Sequence, residues 1–459
     1  MRTLQRTLGL RDLVFIVVGV VIGSGIFVVP STVLQQVGGN VNIAFTVWLV
    51  AGVLSLLGAL TFGELGAMQP EAGGLYVFLR EAFGPLVGFL FGWTLFFVMG
   101  SGSIATLAEA FAGYLSQLMP LSPASSRAAS IAMIVVAMSI NIAGTRRSSR
   151  VQTWTTSFKV LAILAMSALL LIGGSGGSAA APATTGTASL LSGIGLAMIG
   201  VLWAYEGWQY ATFLAGETRD PQRTFPRGMA IGTAALVVIY CLANVAYIAA
   251  LGPAGVMETQ GVAAAAVGEI LGAGAAKLIA LAILVAIFSA ANAVVLTASR
   301  VFYAMASDGV FFRRLAVVHP TTGTPVFAIA SCCLWAMVLS ATGTFDQLLT
   351  YVVFTGWLFY ALGAAAVFVY RRRDPDAHRP FRVPGYPVTP LLFVLSAAAI
   401  VINTLIGTPA RAAIGLAVVL AGAPAYFIWR TRKLRMTPVS SAIAKPGEAS
   451  SARPPQRGE

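Results

Sequence analysis

Long apolar runs separated by short polar connections follow one another from residue 12 almost to residue 430. Most hold 18 or more residues with few charges, the length that carries an α-helix across about 30 Å of hydrocarbon. The alternating segments of about ten residues that mark a membrane β-barrel are absent. The pattern predicts about twelve helical spans, at 12–36, 41–68, 85–118, 127–144, 151–172, 190–215, 227–251, 275–304, 325–342, 346–370, 388–407 and 410–430. The expected fold is an all-α polytopic membrane protein. The first run follows MRTLQRTLGLRD directly. It is too long for a signal-peptide core and has no small-residue cleavage site, so it reads as a retained span.

That first run carries its own interruption, GVVIGSGIFVVP at residues 19–30. Glycine inside a helix costs about 1 kcal/mol relative to alanine. Close helix packing of the small-xxx-small kind is one reason to accept that cost. Depth argues for another. Ser24 lies twelve residues past Asp12, which at helical rise is roughly 18 Å into the span. Unwound backbone at that depth is tolerated only where it lines a cavity. Transporters built from inverted repeats carry one broken helix in each half, so a second break is expected. The sixth run supplies it in WAYEGW, residues 203–208, where Glu206 and Gly207 sit at similar depth. An intramembrane acid is costly and marks a functional site by default, with a pairing role inside the bundle as the alternative.

The organisation expected from these two breaks is an N-terminal segment 1–11, a five-helix repeat 12–173, a second five-helix repeat 190–370, two further helices 388–430 and a disordered tail 436–459. The half-helix that starts after Gly23 would turn free N–H groups and the positive end of its dipole toward the cavity, which suits a carboxylate. The half-helix that ends near Trp203 and Ala204 would leave free carbonyls, which suit an ammonium group. One site with both ends fits a zwitterion, an α-amino acid.

Composition narrows the class further. The chain of 459 residues is 58% hydrophobic and only 10% charged, with a mean hydropathy of +0.84. Soluble domains carry about 25% charged residues, so a soluble globule is excluded. The net charge of +13 would raise nucleic acid as a partner in a soluble protein. Here the positive residues partition by connection: Arg2, Arg6 and Arg11; Arg146, Arg147 and Arg150; Arg219, Arg223 and Arg227; Arg313 and Arg314; Arg371 to Arg373; and Arg430 to Arg435. The intervening loops carry almost none. The positive-inside rule then places both termini in the cytoplasm, with membrane lipid and not nucleic acid as the surrounding partner. Cys241, Cys332 and Cys333 all fall in apolar spans and read as small buried hydrophobes. His319 and His378 lie in polar connections, so no metal site and no cofactor is expected.

Several stretches in the same order resemble the amino acid–polyamine–organocation superfamily, and within it the L-type amino acid transporters of prokaryotic type. They are GVVIGSGIFVVP, then GALTFGELGAMQPEAGGLYVFLREAFGPLVGFLFGW, then WAYEGW with ETRDPQRTFPRG, and ANAVVLTASRVFYAMASDGVF. The match covers about residues 8 to 430. The resemblance implies two inverted five-helix repeats and sodium-independent exchange or facilitated uptake of amino acids by alternating access at the plasma membrane. It places the carboxylate on Ser24, Gly25 and Ile26, with Val21 and Gly23 adjoining. The ammonium group falls on Trp203 and Ala204, with Tyr205, Glu206 and Gly207 completing the site. Family members commonly have phenylalanine where this chain has Trp203, and glycine, alanine or aspartate where it has Glu206. Lys159 matches a family lysine and stands as a fixed ammonium in place of sodium, with Ser289 as a candidate partner. Snorkelling toward the cytosol is the competing reading for Lys159. Animal relatives link a glycoprotein through a cysteine in the third connection; here that loop is SQLMPLSPASSR, so no disulfide-linked heavy chain is expected.

The expected substrates are neutral L-amino acids, with a proton-coupled symporter of cationic amino acids or polyamines as the alternative. A channel would want a continuous lined pore. An enzyme would want a nucleophile–base pair or paired acids within the spans, and Glu64, Glu109, Glu206 and Lys159 form no such pair by spacing. Neither reading is favoured.

Overall fold

The computed structural model describes residues 4, 6–174, 187–259, 261–343, 345–407 and 409–436. The tail beyond residue 436, expected to be disordered, lies outside the described residues, as does most of the glycine- and alanine-rich connection before the sixth span. All elements of regular structure among the described residues are helical apart from one isolated bridge.

The first predicted span is two helices, α1 (Leu10–Val21) and α2 (Gly25–Gln36), bent by 48° at the intervening residues. Next come α3 (Val41–Met68) and a short α4 (Leu75–Phe83). Then α5 (Pro85–Thr94) runs through a wide π turn, Leu95–Met99, into α6 (Gly100–Leu118). After α7 (Pro123–Ile142) and α8 (Thr145–Gly173), α9 (Thr187–Ala204) stops in a turn at 205–207. Its continuation is a 3₁₀ segment, Trp208–Glu217. The remainder is α10 (Pro221–Glu258), α11 (Val262–Leu271), α12 (Ala273–Ser307), α13 (Val326–Thr342), α14 (Phe345–Arg373), α15 (Val388–Gly407) and α16 (Pro409–Met436).

Among the described residues ten helical segments are long and apolar enough to cross a bilayer, and the bent α1–α2 pair makes an eleventh. The predicted span 325–342 corresponds to α13, apolar but only 17 residues long. The short α4 and α11 fall in stretches that the pattern left as connections; they are set off by glycines at positive φ, Gly74 and Gly84 around α4 and Gly272 after α11.

Helix α1 is enclosed by α8, α10 and α12, while α2 packs along α9 and α3 lies against α10. Apolar contact alone would give these helices little preference for one another over lipid, so buried polar bonds carry much of the specificity. Asn141 of α7 donates to Asn292 of α12 at 2.9 Å, Asn292 donates to Gln152 of α8 at 3.1 Å, and Gln152 donates to Ser289 of α12 at 3.2 Å.

A second polar knot closes the face that carries the N-terminus. Leu8 pairs with Thr218 in the bridge, and the amides of Thr7 and Leu8 donate to the Glu217 carbonyl at 2.9 and 3.0 Å. The Glu217 carboxylate is buried and accepts from Arg300 Nε at 2.7 Å. Arg300 also donates to Thr145 Oγ1 at 2.8 Å and to the Leu296 carbonyl at 2.6 Å. Four elements therefore meet at one buried ion pair. A further ion pair joins Arg80 of α4 to Asp308, which also accepts from the Tyr76 hydroxyl at 2.7 Å. Burial, followed by the Asp308 charge, raises the Tyr76 pKa above its ordinary value.

Removing one partner of a buried ion pair leaves an uncompensated charge and costs about 3–5 kcal/mol. Glu217→Gln is expected to lower the thermal stability of the purified protein by roughly that amount, with Glu217→Gln/Arg300→Met recovering part of it. A Glu217→Gln protein that melts with the wild type would show the pair to be dispensable.

Candidate functional site

The two interrupted helices meet. Where α1 ends and α2 begins, the chain faces the end of α9, and a cavity of about 70 Å³ opens between them. Of the residues picked out in the sequence, Val21, Gly23, Ser24, Gly25, Trp203, Ala204, Glu206 and Gly207 line it. Ile26 and Tyr205 do not. Ile26 is one residue, about 100°, round the helix from Gly25, and its side chain is wholly buried in the core. The Tyr205 ring turns away into a cage with Trp48 and Tyr240, at centroid distances of 5.9 and 4.9 Å.

Backbone geometry explains the glycines. A Cβ on Gly25 would stand 2.9 Å from the Cα of Ala204, a backbone atom that cannot swing aside. Gly25 thus lets α2 touch α9 at the cavity wall. Gly207 has φ 127°, in the region that favours glycine, and starts the 3₁₀ segment that carries the chain back from the cavity. At the start of α2 the first amides have no acceptor within the helix. The Ser24 hydroxyl beside them is buried and has no hydrogen-bond partner among the described residues.

Glu206 contributes a carboxylate to the same cavity. Its Oε1 accepts from the Tyr360 hydroxyl of α14 at 2.9 Å, while Oε2 is buried without a partner among the described residues. Tyr360 in turn accepts from Gln209 Nε2 at 2.6 Å, and Gln209 Oε1 accepts from the Gly207 amide at 3.1 Å. The acid is therefore braced by a ring of bonds that returns to its own turn. Among the described residues no cation forms an ion pair with it.

The opposite wall was not read from the sequence. Ser103, Thr106 and Leu107 come from α6, Tyr210 from the 3₁₀ segment, Val294 from α12 and Val352 from α14. Ser103 and Thr106 carried a usable signal, two hydroxyls one helical turn apart in an apolar run. Val294 and Val352 carried none, being apolar residues among apolar residues.

Lys159 lies one layer behind the cavity. Its ammonium is buried and donates to the carbonyls of Gly19 at 2.7 Å and Ile22 at 2.6 Å, at the C-terminal end of α1. The side chain runs into the bundle and does not snorkel to the surface. It places a positive charge where the dipole of α1 is negative. Ser289, named as its candidate partner, is engaged elsewhere: it accepts from Thr155 at 2.8 Å and from Gln152 at 3.2 Å. Thr155 precedes Lys159 by one helical turn, so Ser289 meets α8 about 6 Å short of the ammonium.

Comparison with known proteins agrees with this arrangement. The family model for amino acid permeases matches residues 8–428. A serine/threonine exchanger of Bacillus subtilis (strain 168) is 31% identical over 434 residues, covering 94% of this chain and 98% of that protein. The human cystine/glutamate transporter is 32% identical, covering 93% of this chain and 85% of its own. The mouse large neutral amino acids transporter small subunit 2 is 31% identical, with 93% and 81% covered. These are transporters and not enzymes. A multi-span helical bundle with two interrupted helices facing one small cavity, matched along almost its whole length, belongs to the amino acid permease family.

Proposed function

We propose that this protein moves small neutral L-amino acids across the plasma membrane by alternating access, by sodium-independent exchange or uptake, with both termini in the cytoplasm. The carrying observation is the cavity between the α1–α2 break and the end of α9. It joins unpaired helix-start amides and the Ser24 hydroxyl to the carbonyl end of α9, donor and acceptor ends for a zwitterion. Residues 12–173 and 190–370 act as the two inverted repeats, each contributing one interrupted helix, and 388–430 adds two helices outside the repeats.

Size supports a small substrate. A cavity of about 70 Å³ holds on the order of five water-sized positions. That number matches the heavy atoms of alanine or serine better than those of tryptophan. The relatives' names disagree on the side chain, covering serine and threonine, cystine and glutamate, and large neutral residues, so family membership does not choose among them. The connection between α6 and α7 has no cysteine, so the reading is of a carrier without a disulfide-linked subunit there.

Lys159 takes the place of a sodium ion by holding the Gly19 and Ile22 carbonyls. A second reading rests on Glu206. Its unpartnered oxygen in the cavity would accept from a cationic side chain or carry a proton, making the protein a proton-coupled symporter of cationic amino acids or polyamines.

Counterflow of each of the twenty labelled amino acids into proteoliposomes, with and without sodium and a pH gradient, tests the reading. Saturable counterflow of alanine or serine that is indifferent to sodium is expected, and strict sodium dependence would contradict it. Gly25→Ala should lose at least nine-tenths of the uptake in protein that is inserted normally, because its methyl meets the Ala204 backbone; uptake within twofold of wild type would remove the carboxylate from this wall. Lys159→Ala should slow uptake more than tenfold by freeing α1 from α8, and normal uptake would return Lys159 to a merely structural role. Glu206→Gln should keep neutral uptake within about threefold. Loss of lysine or arginine uptake that the wild type performs well would establish the second reading, as would loss of pH-driven accumulation with exchange retained.

A further inference from the structure

We infer that a second, polar cavity on the face carrying the N-terminus binds a compact phosphate-bearing anion, held by Arg146 and Arg150 of α8, by Arg219 of the linker after the 3₁₀ segment, and by the hydroxyls of Thr145 and Ser149. The site is separate from the cavity between the interrupted helices, and the inference does not depend on what that cavity carries.

This cavity measures about 420 Å³ and is the larger of the two. The start of α8 forms one wall, and that start breaks the usual charge rule. It reads TRRSSR, with no acid in its first turn. A helix N-terminus carries roughly half a positive charge and favours anions, yet Arg146 and Arg147 stand there. Arg150 follows Arg146 by four positions, where like charges on a helix repel. Gly144 occupies the cap and offers no side chain to the first amides, which have no acceptor within the helix. The positive-inside rule accounts for arginines at this face. It does not call for an uncapped, cationic helix start around a cavity.

The cavity has charge left over. Asp12 and Glu217 also line it. The Glu217 carboxylate is answered by Arg300, and Asp12 Oδ2 accepts from the Gly9 amide at 2.9 Å. Among the described residues Arg146, Arg150 and Arg219 have no ion-pair partner. Three guanidiniums therefore share the cavity with one carboxylate that lacks a cation. Arg219 is held there by its backbone, whose amide donates to the Leu8 carbonyl at 2.8 Å.

Two buried hydroxyls point to a ligand independently of charge. Ser149 is only 6% exposed and lines the cavity, and its hydroxyl has no hydrogen-bond partner among the described residues. Thr145, 8% exposed, accepts from Arg300 at 2.8 Å, which leaves its own proton without an acceptor there. Guanidinium forks match phosphate oxygens two at a time, and hydroxyls at a helix start add donors to the same oxygens. Arginines on two separate segments suit a group carrying two phosphates. Leu8, buried, is the one apolar side chain among the described residues of the wall, and no aromatic ring lines it. A nucleotide base or an acyl chain would have nothing to lie against, so the wall favours a small soluble anion over a lipid headgroup.

Pyrophosphate is the probe. It is titrated into purified full-length protein in a neutral detergent, without magnesium, at an ionic strength held constant with chloride. The dissociation constant and the melting temperature are read. The wild type should bind one pyrophosphate and melt at a higher temperature in its presence. Arg219→Gln should weaken binding about tenfold, and Ser149→Ala, which leaves every charge in place, about threefold. Arg372→Gln, an equal loss of charge outside the cavity, should change it less than about twofold because distant charges are screened. Melting without the anion reports whether each variant is folded. Equal weakening by Arg219→Gln and Arg372→Gln would show an unspecific charge effect and overturn the inference. Unchanged binding in folded Arg219→Gln, or no binding to the wild type, would overturn it too. Nanodiscs of phosphatidylglycerol and of phosphatidylcholine separate the two sources of phosphate. Stabilisation by pyrophosphate in both lipids supports a soluble anion. Arg219-dependent stabilisation by phosphatidylglycerol, with none by pyrophosphate, would overturn the soluble source and give the phosphate to a lipid.

Discussion

Backbone that leaves its helix in the middle of a membrane must find partners inside the protein, because lipid offers none. The arrangement around the α1–α2 break follows from that requirement. Carbonyls of Gly19 and Ile22 take the Lys159 ammonium, and those of Val21 and Ala204 share the Tyr240 hydroxyl. The Gly23 amide folds back to Val21, the Glu206 amide to Trp203, and the Gly207 amide to Gln209. The protein thus supplies partners for most of the acceptor ends. The start of α2 is treated differently: it lines the cavity with a Ser24 hydroxyl that has no protein partner among the described residues.

The interrupted helices were legible because the sequence breaks its own pattern there. Glycine-serine-glycine at mid-span and a lone acid beside Gly207 each carry a cost that a plain helix would not accept. The depth of Ser24, counted from Asp12, then located the cavity. Spans were equally legible from the length of the apolar runs, since hydrocarbon thickness sets a hard minimum. The far wall of the cavity was not legible, because Val294 and Val352 have nothing to distinguish them from any lipid-facing valine until helix rotation is known. Ile26 and Tyr205, read as parts of the site, place their side chains outside the cavity lining. Adjacency in sequence put them beside the break, and helical rotation turned their side chains away from it. Ser289, read as a possible partner of Lys159, instead accepts from Thr155 and Gln152 of α8, a register between α8 and α12 that the sequence does not display.

The knot at the N-terminal face was also hidden, and for a different reason. Glu217 and Arg300 are 83 positions apart in sequence and each looks ordinary at the end of an apolar run. Folding brings them to full burial together with Thr145, while the Glu217 backbone anchors the segment at Thr7 and Leu8. The segment entering α1, the linker leaving the 3₁₀ segment and the start of α8 are thereby tied to α12. These bonds tie four segments that are far apart in sequence to one buried charge pair.

A tethered cation has a consequence for energetics. An ion bound at the end of α1 could enter from one side and leave on the other, carrying its gradient into the cycle. Lys159 is covalently part of the chain and cannot leave the carbonyls of Gly19 and Ile22 in that way. On the proposed reading, accumulation then has to be driven by the amino acid on the opposite side, unless a proton is carried. Among the described residues Glu206 is the one carboxylate lining the cavity, and its bond to Tyr360 links it to α14. The two groups differ in their bonding: the Lys159 ammonium is held by two carbonyls, while one Glu206 oxygen has no partner among the described residues.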